Sequence, residues 1–308
     1  MSGCYGSHCQ VIMRPYFYSL NEYLKDTYGV KMYKLALNGG MTCPNRDGLI
    51  DTRGCIFCSA GGSGDFANNN IEAAKKLVSS KYTGNDYIAY YQSYTNTYAS
   101  VEYLKNLYTP CIMRDDIRIL SIATRPDCLS DECIELLAGL NRIKPVWVEL
   151  GLQTINPDTA AFIRRGYPLD IYDKAVLKLR AAGIYTIVHM IVGLPGEDIN
   201  DYLATARYIA SSGADGIKIA LLHVLKGTDL ADYYYNKVFD TLSMDEYIHI
   251  LGNIIEVLPK DIAIHRLTGD GPKNLLISPS WSANKKLVYN SIIKYFKEAQ
   301  IYQGRLYQ

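Results

Sequence analysis

The chain has no run of 18 or more apolar residues, so no segment reads as a membrane-spanning helix. Its first residues, "MSGCYGSHCQVIMRPYF", lack the long apolar core of a secretory signal, and the expected location is the cytoplasm, with no membrane partner. An excess of charge of either sign is also missing. The 32 Lys and Arg against 31 Asp and Glu leave a net charge of +1, which removes any global electrostatic case for nucleic acid and leaves only local basic patches to carry one. No low-complexity linker and no repeat longer than a βα unit divides the sequence. Eight cysteines in an intracellular chain of 308 residues read as metal ligands or ordinary thiols rather than as a disulfide framework.

What is present is an alternation of short β-branched runs with longer amphipathic stretches. Strands are expected at "KMYKLAL" from Lys31, "DYIAYYQ" from Asp86, "IRILSIAT" from Ile117, "PVWVELGLQ" from Pro145, "IYTIVHMIVG" from Ile184 and "GIKIALLHVL" from Gly216. Helical patterns such as "IEAAKKLVSS", "DECIELLAGLNRI", "IYDKAVLKLRAAG" and "NDYLATARYIASSG" lie between them, the last two ending on glycine. About six parallel βα units with right-handed crossovers give an α/β fold, expected as a partial or complete TIM-like (β/α) barrel, with an open doubly wound sheet as the other closure. The expected division is an N-terminal extension over 1–30, the barrel over 31–228 and a small C-terminal extension over 229–308. Polar and glycine-rich segments follow the strands, at "NGGMTC", "QSYTNTY", "TRPD", "GLQT" and "VGLPGE". Those are the C-terminal strand ends, where α/β folds keep their chemistry.

The first of these segments, "MTCPNRDGLIDTRGCIFCSAGGSGDF", holds Cys43, Cys55 and Cys58 with C-x11-C-x2-C spacing and no fourth cysteine nearby. A structural zinc site wants four ligands, so zinc would need a borrowed one. A four-iron cluster held by three thiolates leaves one iron open to an outside ligand, which makes a site for chemistry. Incidental thiols in a loop are the bland alternative, and the glycines argue against it, because a loop wrapped round a cluster needs positive φ and close backbone approach.

Three such cysteines just after the first strand of a βα barrel, with Phe57 directly before the last, resemble the radical S-adenosylmethionine (SAM) superfamily. "CPNRDG…GCIFCSAGGSGDF", "YYQSYTNTYAS", "SIATRPDCL", "ELGLQT", "RRGY", "GLPGE", "LLHVLKGT" and "HRLTGDGPKNLLISPSWSANK" together resemble its YhcC/MnmL-type branch, relatives of the elongator catalytic subunit, and cover most of the chain, from about Lys31 to Lys285. The first spacing is wider than the common C-x3-C-x2-C, as in this branch, and Tyr167 stands after "RRG" where histidine is expected. The resemblance implies that Cys43, Cys55 and Cys58 ligate a [4Fe–4S] cluster whose open iron chelates SAM. One-electron cleavage of SAM then gives a 5′-deoxyadenosyl radical that takes a hydrogen atom from the substrate. It further implies SAM contacts from Phe57, from Gln92 and Ser93 in "QSYT", from Gln153 and, twelve residues on, Arg165, from His189 in "IVHMIVG", and from Gly193 and Pro195 in "GLPGE". Taken singly, Gln153 could satisfy strand-end backbone, Arg165 could be a solvated helix residue and His189 a packed core residue. No catalytic residue beyond the cofactor contacts is assigned.

The same resemblance points to tRNA as partner, at the side chain on C5 of the wobble uridine, and to an electron donor such as flavodoxin or ferredoxin. Conversion of carboxymethylaminomethyluridine to aminomethyluridine is the expected reaction, because the 80 residues after position 228 are few for the acetyltransferase domain of the elongator relative. The alternatives are a radical SAM enzyme acting on a small metabolite or protein, and a zinc-stabilised binding module without catalysis. Direct support for RNA is confined to 27 tyrosines against six phenylalanines, able to stack on bases, and to Lys285, Lys286, Lys294 and Lys297 on a C-terminal helix, a run that more often marks a solvated face. Cys4, His8 and Cys9 read as an exposed tail rather than a second metal site, His223 is ambiguous between packing and function, and Cys111, Cys128 and Cys133 lack the pairing of an auxiliary cluster.

Overall fold

A computed structural model describes residues 16–269 and 271–307, so Cys4, His8 and Cys9 lie outside the described residues. Nine strands are described: β1 (Tyr33–Leu37), β2 (Tyr87–Tyr91), β3 (Ile117–Thr124), β4 (Val146–Gln153), β5 (Tyr185–Val192), β6 (Gly216–Leu221), β7 (Val224–Leu225), β8 (Ala263–Arg266) and β9 (Leu276–Ser278). The first six and β8 form one seven-stranded sheet in the order β1-β2-β3-β4-β5-β6-β8, every pair parallel. The sheet curls into a partial TIM-like barrel with helices on its outside. All six strands expected from the sequence form. The seventh, "AIHR", is four residues long and half polar, which hid it from a pattern search. It lies beyond the boundary expected at 229 yet completes the main sheet, while β7 and β9 form a separate antiparallel pair.

Helix ends follow their local chemistry. Asp198 and Asp201 form a reciprocal capping box at the start of helix Ile199–Ser212, and Gly213, at φ 87°, ends it in the left-handed conformation that glycine adopts without steric cost. Helix Leu20–Tyr28 lies at the other end of the barrel. Its Leu24 and Tyr23 pack on Trp147, Ile187 and Tyr185, with ring centroids of Tyr23 and Trp147 5.9 Å apart, and plug the N-terminal mouth. Among the described residues the C-terminal mouth is the end of the barrel left open to a ligand.

The interior of such a barrel is normally filled by layers of branched apolar side chains. Here each of β1 to β6 sends one polar residue inward instead: Lys34, Tyr90, Ser121, Glu149, His189 and Lys218. The Glu149 carboxylate, with no exposure, accepts from Lys34 Nζ at 2.9 Å, Ser121 Oγ at 2.7 Å, His189 Nε2 at 2.7 Å and Lys218 Nζ, and Lys218 also donates to the Tyr90 hydroxyl at 3.0 Å. Replacing a buried ion pair by apolar groups of similar volume is often neutral or stabilising, so folding alone does not account for this network.

Glu149→Leu, which leaves two lysines uncompensated in the lumen, is expected to lower the unfolding free energy by about 3–5 kcal/mol in urea titrations. Adding Lys218→Met should recover most of that loss. A single-variant effect below about 1 kcal/mol would mean that the lumen charges are solvated rather than buried.

Candidate active site

Between β1 and helix Ile71–Val78 the chain makes a long loop over the C-terminal mouth. The eleven residues between Cys43 and Cys55 are not spread out. Asn45 and Gly54 meet at the base of an excursion, where the Gly54 N–H donates to the Asn45 carbonyl at 2.6 Å. Residues 46–53 close on themselves, with Ile50 N bonded to the Pro44 carbonyl and Asp51 Oδ1 accepting from the amides of Thr52 and Arg53. Without the excursion the order is Cys43, Pro44, Asn45, Gly54, Cys55, which is C-x3-C, followed by C-x2-C to Cys58. The wide spacing in sequence is the common spacing in space.

The turn after β2 packs under this loop. Tyr94 N donates to the Gly62 carbonyl at 2.9 Å and Thr95 N to the Thr42 carbonyl at 3.2 Å. A Cβ on Gly62 would collide with the Tyr94 ring, and one on Gly64 with the Ser93 side chain, so both positions require glycine. Asn45 Nδ2 bonds the Arg164 carbonyl at 2.7 Å and lies 3.5 Å from Cys55 Sγ. Arg46 Nη2 holds the carbonyls of Cys58 and Ser59 at 2.9 and 2.7 Å.

Loop and strand ends enclose a cavity of about 290 Å³. Cys43, Cys55 and Cys58 line it together with Phe57, Gln92, Gln153, Arg165 and His189. Ser93, Gly193 and Pro195 are not among its lining residues. Ser93 is buried under Gly64, and Gly193, at φ 94°, forms a tight turn whose N–H donates to the Tyr202 hydroxyl at 3.2 Å. The last residue of the "GLPGE" turn, Glu197, accepts from Thr154 Oγ1, next in the chain to the cavity-lining Gln153. Burial pushes the Glu197 carboxyl up to about 7.

Thr154 in turn bears on the corner made by Gln153 and Arg165. Arg165 is no solvated helix residue. It is buried, and Nη1 donates to the carbonyls of Thr154 and Leu152 at 2.6 and 3.3 Å while Nε donates to that of Tyr167 at 3.1 Å. Gln153 closes β4 at φ 65°, left-handed for a residue with a side chain, beside a register shift against β5. A Cβ on Gly151 would lie 2.5 Å from Gln153 Nε2, so the glycine makes room for the amide to turn into the cavity. The Tyr167 hydroxyl donates to the Gly151 carbonyl and sits within this packing, where histidine was expected.

Burial raises the Cys58 thiol and pushes that of Cys55 up to about 12, so these groups become thiolates readily only beside a cation such as bound iron. Among the described residues no three His, Cys, Asp or Glu side chains gather as ligands of a single metal ion. A four-iron cluster does not ask for that, because each thiolate binds a different iron. Burial and the Lys218 charge push His189 down to about 4, so its imidazole is neutral; with Nε2 directed at Glu149, Nδ1 is the nitrogen left to accept. Glu149, Tyr90 and Lys218 went unassigned in the sequence. Their signal is an ionisable or phenolic residue inside an apolar strand, as in "VWVELGLQ" and "GIKIAL".

The model of the Radical SAM superfamily matches residues 52–209, and that of the Radical_SAM C-terminal domain matches residues 214–298. The chain belongs to the radical SAM superfamily. It is 42% identical over 299 residues to the uncharacterized protein YtqA of Bacillus subtilis, covering 95% of this chain and 93% of that one. To the protein YhcC of Escherichia coli it is 34% identical over 275 residues, 88% of this chain and 89% of that one. The structure of Elp3 from the archaeon Methanocaldococcus infernus, with its N-terminus deleted, superposes with a TM-score of 0.63 at 20% identity over 75% of this chain and 58% of that one. The chain thus stands in the YhcC- and elongator-related branch. Radical SAM proteins use a [4Fe–4S] cluster and SAM, and the cavity of this one offers three thiols, a glycine cradle and polar strand ends that fit the pair.

Gln153→Gly separates the strain of the site from its use. Relief of the left-handed side chain should raise the unfolding free energy by roughly 0.5–1 kcal/mol, while SAM affinity, measured by equilibrium dialysis on the iron-loaded protein, should fall. A variant that loses stability and keeps its SAM affinity would assign Gln153 to packing.

Proposed function

We propose that this radical SAM enzyme modifies the wobble uridine of tRNA, converting a carboxymethylaminomethyl side chain to aminomethyl. The observation that supports this reading is the kinship with a protein whose name states tRNA uridine 34 as its target, and with the elongator catalytic subunit. The tRNA uridine(34) acetyltransferase of Methanocaldococcus jannaschii is 27% identical over 180 residues, which is 57% of this chain and 33% of that one. The human Elongator complex protein 3 is 23% identical over 188 residues.

In this reading Cys43, Cys55 and Cys58 hold the cluster, and Phe57, Gln92, Gln153, Arg165 and His189 line the place for SAM. When bound, the two supply a carbon radical strong enough to remove a hydrogen atom from an unactivated C–H bond. The protein's own residues fix the geometry. Arg165 clamps the end of β4 through the carbonyls of Leu152 and Thr154 and ties it to that of Tyr167, Glu197 fixes Thr154 beside it, and Glu149 orients His189 so that Nδ1 is left to accept. The buried floor and the plugged N-terminal mouth keep bulk water from the reacting centre. In the substrate, the methylene between nitrogen and carboxylate loses a hydrogen atom. Loss of one further electron to a one-electron carrier of the flavodoxin or ferredoxin kind, and of the N–H proton, leaves an imine, which water hydrolyses to the amine and a 2-oxo acid.

A flavodoxin or ferredoxin serves as reductant in this account, and helix Lys285–Glu298 carries Lys286, Lys294 and Lys297 toward RNA phosphates. No helix among the described residues is long and apolar enough to cross a membrane. Nucleoside mass spectrometry of tRNA from cells with and without the gene tests the proposal. Loss of the gene should raise carboxymethylaminomethyluridine and abolish its aminomethyl descendants. Unchanged nucleosides, together with turnover of a free metabolite by the purified enzyme, would replace tRNA by a small substrate.

A further inference from the structure

Four arginines line the cavity, and three of them stand on its cysteine side, where they brace the protein. Arg46 holds the carbonyls of Cys58 and Ser59, Arg125 holds Asp127 and the Arg165 carbonyl, and Arg165 holds the end of β4. Arg266 is set apart from them. It ends β8 at the opposite edge of the sheet from β1, in register with Lys218. It has interactions of its own within the protein, and its guanidinium carries five N–H donors in a planar fork.

His223, just beyond β6, shares this wall. Its Nε2 is sealed from solvent and has no hydrogen-bond partner among the described residues. A buried polar atom in that condition calls for a partner. The ring is held in place, because a Cβ on Gly269 or Gly271 would come within 2.5 or 2.7 Å of its atoms. Burial, with the charges of Lys285 and Arg266, pushes its pKa down to about 4, so it offers one N–H rather than a second cation.

Below this wall, Glu149 already accepts from four donors, which fills the roughly four lone-pair sites of a carboxylate. It has no capacity for a cationic group entering from above. Two lysines, Lys34 and Lys218, face that one carboxylate in the lumen, and burial pushes Lys218 well below the usual lysine range, so the floor offers donors and no spare negative charge. A wall with a guanidinium and an unsatisfied imidazole, over a floor with no spare negative charge, suits an anion.

We propose that Arg266 and His223 form a carboxylate subsite, which takes the free carboxylate of the substrate's side chain and turns the neighbouring methylene toward the cysteine half of the cavity. The subsite rests on the reading of carboxymethylaminomethyluridine as substrate and adds to it the group by which that side chain is selected. Product lacks the carboxylate, so the same contact explains how product leaves.

The test uses the iron-loaded, SAM-bound enzyme under anaerobic conditions and two anticodon stem-loop oligonucleotides, one carrying carboxymethylaminomethyluridine and the other its uncharged amide. Fluorescence anisotropy should give the wild-type protein a preference for the carboxylate of roughly tenfold or more, the worth of hydrogen bonds to a charged group. Arg266→Gln should bring the ratio near one, Arg266→Lys should keep part of it, and His223→Phe should reduce it. Equal wild-type affinity for the two oligonucleotides overturns the subsite and leaves the tRNA reading standing. A full preference in Arg266→Gln overturns it as well. Failure of the wild-type enzyme to bind either oligonucleotide removes the tRNA reading and the subsite with it. The wild-type ratio needs no variant, so a misfolded Arg266→Gln protein leaves the test intact.

Discussion

The bond from the Gly54 amide to the Asn45 carbonyl decides where the three thiols lie. By closing residues 46–53 into an excursion, it lets Cys43 approach Cys55 as though three residues rather than eleven lay between them. Around this closure the remaining contacts act as braces. Asn45 ties the loop to the Arg164 carbonyl, Arg46 ties it to the carbonyls at Cys58 and Ser59, and Gly62 and Gly64 let the turn after β2 press against it. The cysteine loop is therefore held mainly by backbone carbonyls and amides. Such a scaffold can stay in place while the thiols exchange protons for iron.

The second constraint is the carboxylate of Glu149 in the middle of the barrel. Four donors from four strands converge on it, so the lumen is polar where similar barrels are apolar. Its effect on the site is directional. It orients His189, holds Lys218 against Tyr90, and leaves the floor of the cavity without a spare acceptor. Loop and lumen together define a space with sulfur on one wall and positive charge on the other. That polarity suits the carboxylate-bearing substrate proposed above.

How much of this could be read from the chain depends on the kind of signal. The strands at Tyr87–Tyr91, Ile117–Thr124 and Tyr185–Val192 are long β-branched or aromatic runs and announce themselves. Ala263–Arg266 does not, because half of it is polar and its neighbour in the sheet, β6, lies more than 40 residues earlier. The helix Val101–Ile112 was absent from the expected elements, and Pro110 inside it weakens its pattern. The cysteines were legible as a group, but the resemblance to a family supplied their meaning. Gly193 and Pro195 do not line the cavity, and the turn they belong to meets Thr154 through Glu197; a one-dimensional motif does not say which of its side chains turns inward. Glu149 and Lys218 were visible as charges in buried strands, yet only the closed sheet shows that both face the lumen and meet.

The central claim is that the excursion at 46–53 lets Cys43, Cys55 and Cys58 hold one four-iron cluster with an iron open to SAM. Electron paramagnetic resonance of the anaerobically reconstituted and reduced protein, recorded with and without SAM alongside iron and sulfide analysis, tests it most directly. The account predicts about four irons and four sulfides per chain and a cluster signal whose g-values move when SAM is added. Stoichiometric zinc in place of iron, or a cluster signal indifferent to SAM, would contradict it.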